Sequence, residues 1–534
     1  MRTSPLLLSV SLASASFALQ FPFKVPFFNS QAVSQNDTGH GDPSTPRIAI
    51  IGAGAGGSSA AFWIAKAKER FGVDVEVDVY EKNSYIGGRS TTVQPYDDPS
   101  LDPVELGGSI FVRANKNLWR ATQEFNLTLN SFKDEGGDTG FWDGEKLLIT
   151  ASPNYRWRWL VGYVEDGLEI WNHLTKANGV DVSLHTPHSD HYVKSMIQDY
   201  LNLYSPDAPK WDNITTLATT LGFLDMTSSS TADFFQSNGV SAQFVNEVVE
   251  AATRVNYGQN VDKIHALEGA CSLAATGAAQ VKGGNWQIFQ NFLNYSQATV
   301  FLNTKVTSIT SKSSSWIVNS DKGSKRYRGV ILAAPLHQTG IDLPSSIVSQ
   351  VPEQPYVHLH VTLLSTTATS VDPAYLSLSP ASKVPPTLLT TYQGARTGGK
   401  APEFNSISYH RKINDNEWNV KIFSEEKISD KWLNTTFGGQ VGWVHRKEWD
   451  AYPKLPPTTD FPPVKLDNGF YYVNAFEPFI STMETETVAS RNVVDLLLNE
   501  EFKSSICGPR ISASEDDDTK KKVNDEDFVF GWDC

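Results

Sequence analysis

The chain has 534 residues, 40% hydrophobic and 19% charged, with a formal net charge of −14. It is too long for one small core and too apolar for a disordered polymer, so about two to four globular domains are expected. The acidic balance leaves no extended cationic surface for phosphates and argues against a nucleic-acid partner. Three cysteines, Cys271, Cys507 and Cys534, exclude a disulfide-dense scaffold and any four-cysteine zinc or iron–sulfur centre.

In chain order, residues 1–18 read as an export signal. Arg2 gives a positive start, an apolar stretch begins at Pro5, and small-residue cleavage patterns end at Ala15 and Ala18. The stretch is short and Ser-rich for a membrane span, and no later run reaches spanning length, so a soluble or peripherally membrane-bound chain is expected. Residues 19–45 lack periodicity and read as a linker. Asn-x-Ser/Thr triplets at Asn36, Asn126, Asn213, Asn294 and Asn434 are candidate glycosylation sites. Together these predict the secretory pathway, ending in a vacuole or lysosome or outside the cell.

The first structural motif is Ile48-Ala49-Ile50-Ile51-Gly52-Ala53-Gly54-Ala55-Gly56-Gly57. An apolar strand, Arg47–Ile51, leads into it and a predicted helix over Ser58–Arg70 leaves it. Gly52 permits the tight turn, Gly54 admits a pyrophosphate close to Ala53, and Gly57 lets helix and strand pack closely. The helix N-terminus offers free N–H groups and a positive dipole end. A second apolar strand, Val73–Tyr80, ends at Glu81 and Lys82, which places an acid where a ribose hydroxyl is recognised and where a 2′-phosphate is repelled.

Further along, Ile86-Gly87-Gly88-Arg89-Ser90-Thr91 resembles the G-G-R-x-x-[ST] element of FAD oxidases of the amine-oxidase type, with Arg89 suited to pair with two phosphates. Glu105-Leu106-Gly107-Gly108-Ser109 stands where that superfamily brings backbone to the flavin ring. The resemblance also implies an adenine contact at Val306 and a closing helix, predicted over Thr485–Leu498, whose N-terminus faces the flavin beside Met483 and Glu484. The usual Gly after Met-Glu is Thr485 here.

Several stretches are similar to the prenylcysteine oxidase family: residues 105–117, Arg254 to Gln259, Gly283-Gly284-Asn285, 333–338, 356–363 and Ala451-Tyr452-Pro453. The resemblance, over roughly residues 46–500, implies FAD as cofactor and O2 as oxidant. It implies cleavage of farnesyl- or geranylgeranyl-cysteine to cysteine, a prenyl aldehyde and H2O2, in the degradation of prenylated proteins. Candidate polar groups are His358, His360, Tyr257, Asn256 and Arg254. The two histidines share one strand face and read either as proton carriers or as wall residues. No third ligand is suggested for a metal, and none is expected. Arg254 to Gln259 reads equally as a brace or as a substrate contact. An amine, polyamine or amino-acid oxidase, and a non-catalytic lipid- or partner-binding flavoprotein, stay open as alternatives.

The predicted fold is α/β, a Rossmann-type FAD-binding domain with a discontinuous α+β substrate domain built on an antiparallel sheet. Residues 46–112, 280–345 and 465–505 are assigned to the first. Residues 113–279, largely helical, and 346–464 are assigned to the second. Residues 506–534 are expected to form a charged flexible tail, with Cys507 and Cys534 able to pair in an oxidising compartment. The oligomeric state is left open.

Overall fold

The run Ile48-Ala49-Ile50-Ile51 is apolar on both faces, and only the middle of a sheet covered on both sides can hide such a strand. In the computed structural model it lies there, with Ile48, Ala49 and Ile50 fully buried. The sheet has six strands, in the order Lys465–Asp467, Phe470–Tyr472, Gly329–Leu332, Arg47–Ile51, Glu76–Tyr80 and Thr299–Phe301. Ile50 pairs in parallel with Val79 on one side and Ile331 on the other. The Lys465–Asp467 edge alone runs antiparallel to its neighbour. Three distant stretches of chain thus build one Rossmann-type sheet.

The structure describes residues 45–131, 137–151, 186–275, 277–508 and 527–534, all within the compact unit Ala32–Cys534. The export signal, nearly all of the linker and Asn36 lie outside them. Among the described residues no helix is long and apolar enough to cross a membrane.

Helix Ala55–Phe71 follows the first strand and ends at Gly72 in the left-handed conformation (φ 64°), as a glycine C-cap should. It packs on the closing helix, Met483–Phe502: Trp63 Nε1 donates to the Thr487 carbonyl at 3.1 Å, and Ser490 Oγ to the Gly56 carbonyl at 2.6 Å. Both helices begin earlier than the hydrophobic period alone predicts, because Gly54 and Thr482 start them as N-caps.

A second sheet has seven strands, in the order Val441–Pro453, Tyr356–Thr366, Trp418–Ser424, Ser406–Lys412, Thr387–Thr390, Thr139–Trp142 and Leu147–Ala151. Along Tyr356–Thr366 the alternation holds: Val357, Leu359, Val361 and Leu363 are buried while His358 is exposed. The last two strands come from the segment expected to be helical. Asp143-Gly144 turns the chain between them, Asp143 Oδ1 accepting from Glu145 N and Lys146 N at 2.9 and 2.8 Å. That Asp-Gly pair is a hairpin signal in its own right. Thr139–Trp142 then joins Thr387–Thr390 in parallel, so the substrate sheet is mixed. Helices Thr186–Leu201, Glu250–Tyr257 and Ala266–Leu273 supply the wall beside it.

The tail departs from expectation. Cys507 and Cys534 form a disulfide, their Cα atoms 5.3 Å apart, and residues 527–534 pack against the first helix. Trp532 and Val529 are buried, Arg70 Nη2 donates to the Trp532 carbonyl at 2.9 Å, and Arg120 pairs with Asp533 at 2.8 Å. The final aromatic residues fill a gap beside Phe62 and Trp63, which offsets the cost of ordering them. The charged stretch 509–526 lies outside the described residues.

Candidate active site

The first glycine turn is fixed by sterics. Gly52 has φ 108°, and a Cβ there would lie 2.5 Å from the Ala333 carbonyl oxygen; a Cβ on Gly57 would lie 1.8 Å from that of Gly52. Strand end and helix start therefore approach as only glycine allows. The helix opens at Gly54 without a side-chain cap, so its first N–H groups are available to an anion. Glu81 is buried beside this turn: its carboxylate accepts from Ala53 N at 3.0 Å and from Asn83 N and Nδ2 at 2.8 and 2.7 Å. Lys82 is exposed next to it. Gly87 N donates to the Ala53 carbonyl at 2.9 Å, and Gly88 lies against Gly54.

Arg89 does not stand as a free phosphate fork. Its guanidinium pairs with the buried Glu477 carboxylate and donates from Nη1 to the Ala451 carbonyl at 3.0 Å, while the Tyr356 hydroxyl donates to the same carboxylate. Burial pulls the guanidinium down, but the Glu477 charge outweighs it and holds Arg89 above its ordinary value. Sequence reasoning missed Glu477 and Glu486, each more than 380 residues from the turn it adjoins. A Cβ on Gly56 would come within 2.8 Å of Glu486 Oε2. Burial, then the charge of Glu477, pushes Glu486 up to about 8.

The Gly107-Gly108-Ser109 element is clamped from three sides. Glu105 accepts from Asn285 N at 2.6 Å, and Asn285 Nδ2 donates to the Gly108 carbonyl at 2.8 Å, which gives the Gly283-Gly284-Asn285 motif its task. A Cβ on Gly107 would strike the Trp449 ring at 2.6 Å, and one on Gly108 would lie 3.0 Å from Met483 Sδ. Lys421, a buried cation with no sequence motif around it, donates to Ser109 Oγ at 2.9 Å and to the Glu105 carbonyl at 3.2 Å. Burial pushes Glu105 up to about 8.

Thr485 closes a capping box at the head of the closing helix. Thr485 N donates to Thr482 Oγ1, and Thr482 N to Thr485 Oγ1, both at 3.0 Å. Glu484, expected as a cofactor contact, lines the cavity, with its carboxylate bonded to the neighbouring helix. Its carboxylate accepts from Asn117 N and Leu118 N at 2.8 and 2.9 Å, capping helix Lys116–Glu124, and from the Tyr204 hydroxyl at 2.6 Å. Burial pushes it up to about 7. Val306 is buried at the start of the strand Val306–Lys312 and faces the same cavity as Met483.

That cavity holds 670 Å³ and runs from Glu81 and Val306, past the glycine turns, to a chamber with two unlike walls. The sheet contributes Ser406, Ser408, Asn419 and Lys421; the helices contribute Met196, Tyr200, Val255, Tyr257 and Cys271. Cys271 is a free, half-buried thiol. The Tyr257 hydroxyl bonds the buried Glu268 carboxyl, which also accepts from Ser481 N at 3.3 Å. Burial pushes Glu268 up to about 7 and Tyr257 well above its usual value.

The other sequence candidates separate. Asn256 lines the cavity, bonded to the Ala252 and Ser272 carbonyls. Arg254 is a brace: its guanidinium donates to Thr390 Oγ1, Asn260 Oδ1 and Asn405 Oδ1 at 3.1, 2.7 and 2.6 Å. His358 and His360 do not line the cavity; the pleat turns Leu359 and Val361 inward and the histidines outward, beside Asp450 and Glu448. Of the sequons, Asn126, Asn213 and Asn434 are exposed and Asn294 is half-buried.

Comparison with known proteins adds to this geometry. A family described as Prenylcysteine lyase matches residues 184–506, and one described as NAD(P)-binding Rossmann-like domain matches residues 50–125. The chain is 30% identical over 498 residues to the farnesylcysteine lyase of Arabidopsis thaliana, covering 91% of this chain and 94% of that protein. It is 26% identical over 476 residues to prenylcysteine oxidase 1 of Homo sapiens, covering 84% and 87%. Among solved structures it superposes on cyclohexylamine oxidase from Brevibacterium oxydans with a TM-score of 0.54 at 16% identity, covering 85% of this chain and 99% of that one. A putrescine oxidase variant gives 0.56 at 14% identity with the same coverage. At that identity the structures speak for the fold alone, which is the one shared with these amine oxidases. The family match and the near-full-length relative show more: this chain belongs to the prenylcysteine lyase family of oxidoreductases.

Proposed function

We propose that this protein is an FAD-dependent oxidase that cleaves the thioether of farnesyl- or geranylgeranyl-cysteine, consuming O2 and water and yielding cysteine, the prenyl aldehyde and H2O2. The observation that carries this reading is one continuous cavity that joins a dinucleotide cradle to a chamber with one polar and one largely apolar wall. A prenylcysteine is amphiphilic in the same sense.

The residues present fit FAD. The glycine turns leave room only for a molecule laid close to backbone, Glu81 suits a ribose diol, and the helix N-terminus suits a pyrophosphate. Several buried polar atoms of lining residues, among them Ser90 Oγ, Glu105 Oε2, Asn474 Oδ1 and Glu486 Oε1, lack a hydrogen-bond partner within the protein, as cofactor-directed groups do. Held by the glycine turns, Glu81 and the helix N-terminus, FAD would supply two-electron oxidation of the carbon next to sulfur, with O2 as the final acceptor.

The chain's own side chains position the rest. Lys421 places a fixed positive charge on the polar wall, where the α-carboxylate of the cysteine end is received. Met196, Tyr200 and Val255 take the isoprenoid, and burying a C15 chain offers on the order of 10 kcal/mol at ~0.8 kcal/mol per methylene before ordering costs. Tyr257, hydrogen-bonded to Glu268, sits on the helical wall, where its hydroxyl orients the attacking water, and the proton that water loses passes to the departing cysteine sulfur as the hemithioacetal collapses.

We also place the protein in an oxidising, acidic compartment of the secretory pathway, a vacuole or lysosome. Supporting this are the Cys507–Cys534 disulfide and the exposed sequons.

The test is anaerobic: farnesylcysteine is added to the purified protein and the oxidised flavin band is followed. Bleaching that reverses in air with release of farnesal and peroxide is the expected result. Bleaching by a primary amine but not by farnesylcysteine would instead assign an amine oxidase. A flavin that neither reduces would leave a binding protein.

A further inference from the structure

His358 and His360 do not line the cavity, yet the sheet surrounds them with metal-binding chemistry. Antiparallel pairing sets His358 opposite Asp450 and His360 opposite Glu448. Side chains alternate with a period of two, so all four project from one face of the two strands. One donor atom from each of His358, His360 and Glu448 falls within 4.8 Å of the other two.

We propose that His358, His360 and Glu448 bind a divalent transition-metal ion of the zinc class, with Asp450 orienting His358. Two imidazoles and one carboxylate form the donor set of zinc, cobalt, nickel or copper, whereas calcium and magnesium want a cage of oxygens. His358 Nδ1 donates to Asp450 Oδ1 at 3.0 Å, which fixes the tautomer that leaves Nε2 with its lone pair. This is the carboxylate–histidine–metal arrangement of natural sites. His360 Nδ1 lies 3.8 Å from Glu448 Oε2, too far for a hydrogen bond.

Four-coordinate geometry with bonds of about 2.0–2.1 Å requires these donors to close by roughly an ångström. His358 and Glu448 are 57% and 67% exposed, so they can move without disturbing the core, and water completes the shell. The sequence alone offers no third ligand because Glu448 is almost ninety residues away; strand register supplies it.

The site straddles a bulge. Val357 pairs with Tyr452 and His358 with Asp450, which leaves Ala451 extra, and the Ala451 carbonyl is the one that Arg89 Nη1 contacts. An ion bridging both strands would clamp the rim that carries Trp449 and Ala451 into the cavity. Its role is structural.

The untagged holoenzyme, treated with chelator and dialysed, is titrated with ZnCl2 by calorimetry, and the retained zinc is counted by mass spectrometry. A single ion per chain is expected, raising the melting temperature, with X-ray absorption showing nitrogen and oxygen donors at about 2.0–2.2 Å. Binding should weaken at least 100-fold in H358A/H360A, and roughly 10–100-fold in D450N. E448Q, a single exposed change, provides the same comparison if the double variant does not fold by circular dichroism. Zinc that fails to be retained by the wild type, or that binds H358A/H360A or E448Q with wild-type affinity, overturns the proposal.

Discussion

The dinucleotide cradle and the substrate chamber share one cavity but do their work with different parts of the chain. Around Gly52, Gly57, Gly87 and Gly108 the binding surface is backbone, and each glycine is demanded by a neighbour that a Cβ would strike or by a positive φ. In the chamber the surface is side chain: Lys421 reaches Ser109 from a strand more than 300 residues away, and Tyr257 meets Glu268 from the next helix. A backbone site tolerates almost no substitution but leaves a plain sequence mark. A side-chain site is assembled by topology and can be retuned one residue at a time.

The contrast is sharpest at Gly57. A methyl group 1.8 Å from the Gly52 carbonyl must push helix and strand apart, so Gly57→Ala should cost ~3 kcal/mol or more and lower bound flavin at least tenfold. The ratio of flavin to protein absorbance reads this directly. Full flavin retention would mean that the cradle is softer than the chamber, inverting the comparison.

Glu484 tests the seam between the two regions. Its folded value of about 7 lies above the 4.5 of a free carboxyl, so the folded state holds the proton more tightly. The associated stability is fully present below about pH 4.5 and is lost as pH climbs through about 7, by up to ~3 kcal/mol. The melting temperature of the wild type should therefore fall between pH 5 and pH 8. Glu484→Gln should start lower, having lost an acceptor for Asn117 N and Leu118 N, and show a flatter profile. An unchanged slope would assign the pH dependence to other groups.

Lys421→Met removes the cation of the polar wall, together with its hydrogen bonds to Ser109 Oγ and the Glu105 carbonyl. Loss of a charge-assisted hydrogen bond of ~1.5–3 kcal/mol should raise KM for farnesylcysteine by about 10–100-fold. It should leave KM for farnesylated cysteamine, which lacks the carboxylate, nearly unchanged. Equal losses for both would reduce Lys421 to a support for Ser109. The smallest effect belongs to Thr485→Ala, which removes half of the capping box and should cost ~0.5–1 kcal/mol in thermal unfolding.

Much of the cradle was legible because backbone constraints write themselves as glycine: three glycine elements, the strand before them and Glu81 all follow from local rules. Legibility ended where a side chain's partner is remote. Arg89 looked like a phosphate fork, since nothing near it in the sequence announces Glu477. The capping bonds of Glu484 were equally hidden, since nothing announces the helix start at Asn117. The hairpin at Asp143-Gly144 carried a readable turn signal that a helical expectation overrode.

From sequence alone came the α/β class, the nucleotide turns, the closing helix and the pairing capacity of Cys507 and Cys534. All of these depend on period, composition or the special conformations of single residues. Tertiary structure decided which way each side chain faces. The period of two put His358 and His360 on one face, but burial of Leu359 and Val361 chose the outer one. Likewise Lys421 carries no local mark, and became part of the cavity only through the order in which seven strands assemble. Local sterics act over a few residues and can be read along the chain; burial and charge pairing act between residues that only the fold brings together.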